Sequence, residues 1–143
     1  MDRVADKVLE SACRWFTSAE INFARDNIDI AVYSLEMAFE IGMKSLLQKM
    51  HSDVPKTHSV EDLFVVITEK NPGINHETKH KLLSHMGDFR TLLRLRNIAG
   101  YSFERGAELD SMKEVYENTL NSVESFLDTA KEALAELQKK PRA

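Results

Sequence analysis

Apolar residues recur along the chain at steps of three and four, and no segment alternates with period two. Val4, Val8, Ala12, Trp15, Phe16, Ala19 and Phe23 form a first helical stripe, closed by the polar Arg25-Asp26-Asn27. A second stripe runs Ala31, Leu35, Ala38, Phe39, Gly42, Met43, Leu46, Leu47, Met50. Glycine inside a helix costs roughly 1 kcal/mol against alanine, so Gly42 points to a close approach by another helix. A loop around Pro55 follows, and Ser59 with Asp62 has capping-box spacing, opening a short helix through Leu63, Val66 and Ile67. Asn71-Pro72-Gly73 is turn chemistry, with proline fixing φ and glycine accepting positive φ. A fourth helix carries Leu82, Leu83, Met86, Phe89, Leu92, Leu93 and Leu95 and ends near Gly100. After a polar loop over 101–109, Asp110 or Ser111 starts the last helix. Its stripe is Met112, Tyr116, Thr119, Val123, Phe126, Ala130, Leu134, Leu137. The prediction is an all-α, up-and-down four-helix bundle with one additional short helix. It forms a single domain over 1–143, with 137–143 as a frayed tail.

Composition agrees with that picture. A chain of 143 residues, 43% hydrophobic and 29% charged, suffices for one core and is cramped for two. Five glycines and three prolines argue against disorder and against a loop-rich β-sandwich. Cys13 stands alone and makes no internal disulfide. No stretch approaches the length of an apolar membrane span, and the first residues lack the apolar region of a secretory signal. The expectation is a cytoplasmic protein with no membrane association. The net charge of −4 disfavours nucleic acid, but residues 76–106 hold six Lys/Arg against three Asp/Glu, plus His76, His80 and His85. That stretch is where an anion finds positive charge.

Four groups of residues invite a chemical reading. His76-Glu77-Thr78-Lys79-His80 is a literal H-E-x-x-H, which sets two imidazoles one helical turn apart. It sits in a first helical turn, Lys79 places a cation inside it, and no third ligand follows at the extended motif's spacing. A solvated helix start is the expected reading, with no metal and no cofactor. Cys13 lies mid-helix, away from any helix N-terminus that would activate it, and reads as structural. Glu40 and Lys44 are spaced for a surface ion pair worth about 0.3–0.5 kcal/mol. Arg90 and Arg94 share one helix face and Arg96 lies nearly opposite, the usual mark of solvated arginines.

Taken in order, these residues resemble a known family. Trp15 in the first helix, Tyr33-x5-Phe39-Glu40-x3-Lys44-x-Leu46-Leu47 in the second, then Pro55-Lys56-Thr57-His58-Ser59-Val60, are similar to the HEPN domain of prokaryotes. That family's second helix reads A-x-E-x-x-x-K-A-L-L. Here Ala38, Glu40, Lys44, Leu46 and Leu47 fill the pattern, with Ser45 where alanine is usual. The resemblance spans roughly residues 12–135 and implies an all-α bundle that pairs into a homodimer. Ribonuclease members carry Arg-x4–6-His, with a polar residue after the Arg, and two copies form one metal-independent RNA-cleaving site. Some toxin members carry Arg-x4-His-x-Tyr, whose Tyr is adenylylated by a partner minimal nucleotidyltransferase. The matching stretch here begins Arg96-Asn97, with Tyr101 at the His position and Phe103 at the Tyr position.

Those two departures bear on function. Cleavage through a 2′-hydroxyl needs a group that exchanges a proton near neutral pH, as histidine does, whereas tyrosine titrates near 10. The resemblance therefore implies nucleotide or RNA binding by Arg96, Asn97 and Tyr101, with Glu40 and Lys44 beside the Arg in a buried cluster rather than as a mere surface pair, in a partnership with a minimal nucleotidyltransferase of toxin–antitoxin type. Whether the protein is an enzyme is left open. One alternative is a metal-independent endoribonuclease toxin using Arg96 and Tyr101, and another is a helical interaction module with no ligand. A homodimer with the basic 76–106 stretch near its two-fold axis is expected, because the fourth helix's apolar set is wide for one core-facing stripe.

Overall fold

The computed structural model of the protein describes residues 3–50, 60–99 and 109–139. Six helices follow one another there: α1 (Val4–Ala24), α2 (Ile28–Met50), α3 (Glu61–Lys70), α4 (His76–Leu83), α5 (Met86–Ala99) and α6 (Leu109–Lys139). No strand occurs among the described residues. The loop around Pro55, the Ser59 half of the capping box, Gly100, Tyr101 and Phe103 lie outside them.

The chain reverses between α1 and α2 at Asp26, which takes the left-handed conformation with φ 63°. The amides of Arg25, Asp26 and Asn27 close back on carbonyls of α1's last turn, so three residues suffice for the reversal. Phe23 stacks on Tyr116 at 4.2 Å near one end of α1. Asp6 accepts from Gln138 at 3.2 Å near the other. These contacts set α1 antiparallel to α6. On the far side Phe89 meets Phe39 and Arg96 meets Glu36, so α5 runs antiparallel to α2. The long elements α1, α2, α5 and α6 thus alternate in direction, and α3 and α4 are short.

α2 is the central element, packed against α1, α3, α5 and α6. That position explains why its apolar residues spread round the helix instead of keeping to a stripe. Gly42 meets α6, where an added Cβ would lie 2.9 Å from Leu127 Cδ2 and 3.1 Å from Phe126 Cε2. The α6 stripe predicted from spacing is buried from Met112 to Leu134, with Leu137 packed at its edge. The helix continues through Leu137 to Lys139, residues assigned above to the tail.

Several details differ from the sequence expectations. The α1 stripe turns inward at Ala5 and Leu9, with Val4 exposed, because α2 and α6 approach from that side. α3 begins with Val60 as N-cap and no side-chain cap. Its buried residues are Phe64 and Thr68, with Leu63 and Ile67 half-buried and Val66 exposed. Gly73 needs no positive φ; Asn71 Oδ1 accepts from its amide at 2.7 Å and holds the turn. The expected fourth helix is two helices, α4 and α5, broken at Ser84-His85. Ser84 Oγ donates to the Lys81 carbonyl at 2.8 Å, and His85 Nδ1 lies 2.7 Å from Ser122 Oγ on α6. The break leaves the apolar stripe intact, so periodicity does not reveal it. Burial pushes the His85 ring below its usual pKa, against the opposing pull of Asp88.

α4 is pinned at its start. Asn75 caps it, accepting from the Thr78 amide at 2.8 Å. Glu136 of α6 accepts from the Asn75 amide at 2.8 Å and from Thr78 Oγ1 at 2.6 Å.

Candidate functional site

α2 and α5 bring together four ionisable side chains: Glu36, Glu40 and Lys44 from successive turns of α2, and Arg96 from α5. Arg96 Nη1 donates to Glu36 Oε1 at 3.0 Å and lies 3.9 Å from Glu40 Oε1. Lys44 Nζ donates to Glu40 Oε2 at 3.0 Å. Arg96 Nη1 also contacts Met37 Sδ at 3.4 Å, and its guanidinium lies over the Tyr33 ring, 5.2 Å from the centroid. Trp15 of α1 approaches Tyr33 at 6.3 Å with the rings tilted by 51°.

The spacing explains each position. Arg96 follows Phe89 and Leu92 at helical steps, so it continues the inward stripe of α5 and turns its guanidinium onto α2. Arg90 and Arg94 share the other face and are exposed; Arg90 pairs with Glu61 of α3. The expectation of solvated arginines therefore holds for those two and fails for Arg96. Glu40, whose side chain is 1% exposed, is covered by α5 and lies beside Arg96, the placement that the family resemblance implied, although spacing alone marks Glu40 and Lys44 as a surface pair. Lys44, at 21% exposed, is the cluster's opening to solvent.

Glu36 is the residue that sequence reasoning missed. Its side chain is 0% exposed. Burial raises its pKa, the hydrogen bond and charge of Glu40 raise it further, and Arg96 opposes them; the net result is pushed up to about 8. Among the described residues no donor faces Glu36 Oε2. A protonated Oε2 resolves that, since it becomes a donor toward Glu40. Two carboxyls one turn apart on a helix that is apolar on every side are the signal available in the sequence, because adjacent buried carboxylates resist joint ionisation.

Among the described residues, the other predicted positions lie apart from this cluster. Asn97 is exposed on α5, and Tyr101 lies outside the described residues. His76 and His80 are both exposed on α4. Glu77 of the same motif pairs with Lys81 at 3.6 Å, and Lys79 donates to the Glu69 carbonyl at 3.0 Å. Among the described residues no group of three His, Cys, Asp or Glu is placed to hold a metal ion. No described helix is long and apolar enough to cross a membrane.

Comparison with known families decides what this bundle is. The HEPN domain profile matches residues 5–134. The chain belongs to the HEPN domain family. No curated protein and no solved structure matches it. In this HEPN chain, Glu40 and Lys44 come from the second helix, as in the family pattern. They meet Arg96 of α5 in one cluster, with Glu36 beneath and Lys44 at its solvent edge.

Proposed function

We propose that this HEPN protein binds RNA or a nucleotide, acts as a cytoplasmic homodimer, and works with a minimal nucleotidyltransferase in a toxin–antitoxin type system. The observation that carries this reading is the convergence of Arg96 with Glu40 and Lys44. Arg96 is held by Glu36 and aligned by the Tyr33 ring, so its fork is ordered before a phosphate arrives. Ordering of that kind lowers the entropy cost of binding. Lys44 lies at the solvent edge and adds a second cation for an approaching anion.

Binding is favoured over cleavage by the chemistry present. Glu36 is the group of this cluster tuned to exchange a proton near neutral pH, and it is sealed from solvent. A general base must lie within hydrogen-bond reach of the proton it takes, and the Glu36 side chain is 0% exposed. Tyr101 stands where the family's ribonucleases carry histidine. The alternative, a metal-independent ribonuclease using Arg96 and Tyr101 across a dimer, makes a different demand on experiment.

The test is labelled single-stranded RNA and free nucleotides titrated with wild type and Arg96→Lys, with chelator present throughout. Arg96→Lys retains a cation but loses the planar fork. It is expected to weaken binding about 10- to 100-fold, the equivalent of a charge-assisted hydrogen bond. The RNA is expected to stay intact. Cleavage by wild type, abolished in Tyr101→Phe, would establish the ribonuclease reading instead. Absence of any binding would overturn both.

A further inference from the structure

Most of α2 is covered by its neighbours, but one strip is not. Ile30 and Tyr33 are exposed, at 50% and 38%, and Met37 is half-buried one turn further on. The strip lies between α1, which contributes Trp15, and α5, which contributes Arg96. A surface groove of about 300 Å³ adjoins it on α1, lined by Ser11, Arg14, Trp15 and Ser18. The exposed Tyr33 ring thus lies beside the half-buried Trp15 ring, centroids 6.3 Å apart and tilted by 51°, with one arginine against the face of Tyr33 and a second, Arg14, in the groove beside Trp15.

We propose that Tyr33 and Trp15 form a stacking platform for an unpaired base of single-stranded RNA, with Arg14 taking the adjoining phosphate. The proposal rests on the RNA-binding reading above and names how that site holds its ligand. The Arg96 guanidinium occupies one face of the Tyr33 ring, and its positive charge draws π density toward itself. The outward surface then favours an electron-rich purine. Aromatic rings combined with cations that follow a backbone are the elements of sequence-tolerant single-strand binding. A purely apolar partner, such as the core of a second subunit, would leave Arg14 and Ser11 beside it without use, whereas Ser18 Oγ already bonds Ser34 and Asn22. An unpaired base with its phosphate satisfies the rings, the Arg14 cation and the Ser11 hydroxyl together.

The experiment uses a short single-stranded oligoadenylate and, as control, an abasic strand of the same length. Trp15 is the sole tryptophan of the chain, so its emission reports on the platform directly. Oligoadenylate is expected to quench Trp15, and the abasic strand to bind more weakly without quenching. Tyr33→Leu is expected to weaken oligoadenylate binding about 5- to 100-fold, the range for losing one stacked base. Tyr33→Phe, which keeps the ring, is expected to bind like wild type. Arg14→Gln is expected to weaken both strands equally. If Arg96→Lys weakens RNA binding while Tyr33→Leu does not and Trp15 emission is unchanged, the platform is wrong and the RNA reading survives. If wild type binds neither strand, both fall. If Tyr33→Leu dissociates a dimer in sedimentation, a second copy covers the strip and the platform is again wrong.

Discussion

Replacing Glu36 by glutamine tests the electrostatics of the buried cluster directly. The Glu36 carboxyl has an ordinary pKa of 4.5 and is pushed up to about 8 in the folded chain. Within that window the folded protein keeps a proton that the unfolded chain releases. A raised folded-state value means that its stabilising effect is complete below the ordinary value and is lost as pH rises through the folded one. The loss is about 1.4 kcal/mol per pH unit, on the order of 5 kcal/mol across the window, a large fraction of a typical domain's stability. Glutamine has the same shape, still accepts from Arg96, and does not ionise. Urea unfolding of wild type and Glu36→Gln from about pH 5 to about pH 8, followed by helical circular dichroism, isolates the effect because other titrating groups are common to both. Near pH 5 the two are expected to lie within about 1 kcal/mol of each other. The variant then gains about 1.4 kcal/mol per unit over wild type, a midpoint difference of about 0.5–1.4 M urea per pH unit. A difference that stays constant with pH, or a wild type that gains on the variant as pH rises, refutes the reasoning. Either result means that Glu36 is ionised and its pairing with Arg96 outweighs burial and the Glu40 charge.

Three further outcomes are expected. Gly42→Ala places a methyl against Leu127 and the buried Phe126 ring; overpacking of about 1–3 kcal/mol outweighs the roughly 1 kcal/mol gain in helix propensity. A higher melting temperature would show slack between α2 and α6. Asp26→Gly relieves a left-handed φ of 63°, and thermal unfolding should show stabilisation of up to about 1 kcal/mol after glycine's extra unfolded-state entropy; a loss would mean that the aspartate side chain contributes to the turn. Protein purified without chelator should carry no stoichiometric zinc, since both motif histidines are exposed and Lys79 and Glu77 are engaged elsewhere. One zinc per chain, lost in His80→Ala, would overturn that reading.

The helices were legible because periodicity is a local property. Each α6 residue from Met112 to Leu134 in the predicted stripe is buried, since a long one-sided helix has only one way to face a core. Gly42 also announced a close contact, because its propensity cost needs a packing reason. Spacing is a weaker guide where a helix is short or central. The eight-residue α4 and ten-residue α3 leave their inward faces to be chosen by neighbours, and α2 is apolar nearly all round. The break at Ser84-His85 preserves the stripe on both sides, so only the contact with Ser122 of α6 reveals it.

The site was half legible. Glu40, Lys44 and Arg96, and their meeting in one cluster, were expected from the family pattern, but the place of Glu36 in it was decided by tertiary structure. The charge state of a carboxylate depends on how far water is excluded and on which charges face it. Glu36 faces an arginine sixty residues away in the chain. Sequence spacing fixes which residues share a turn of helix. The dielectric surroundings and ion partners of those residues are set when α5 closes over α2, and that closure joins the Glu40–Lys44 pair to a buried cluster in which the Glu36 carboxyl is pushed above its ordinary pKa.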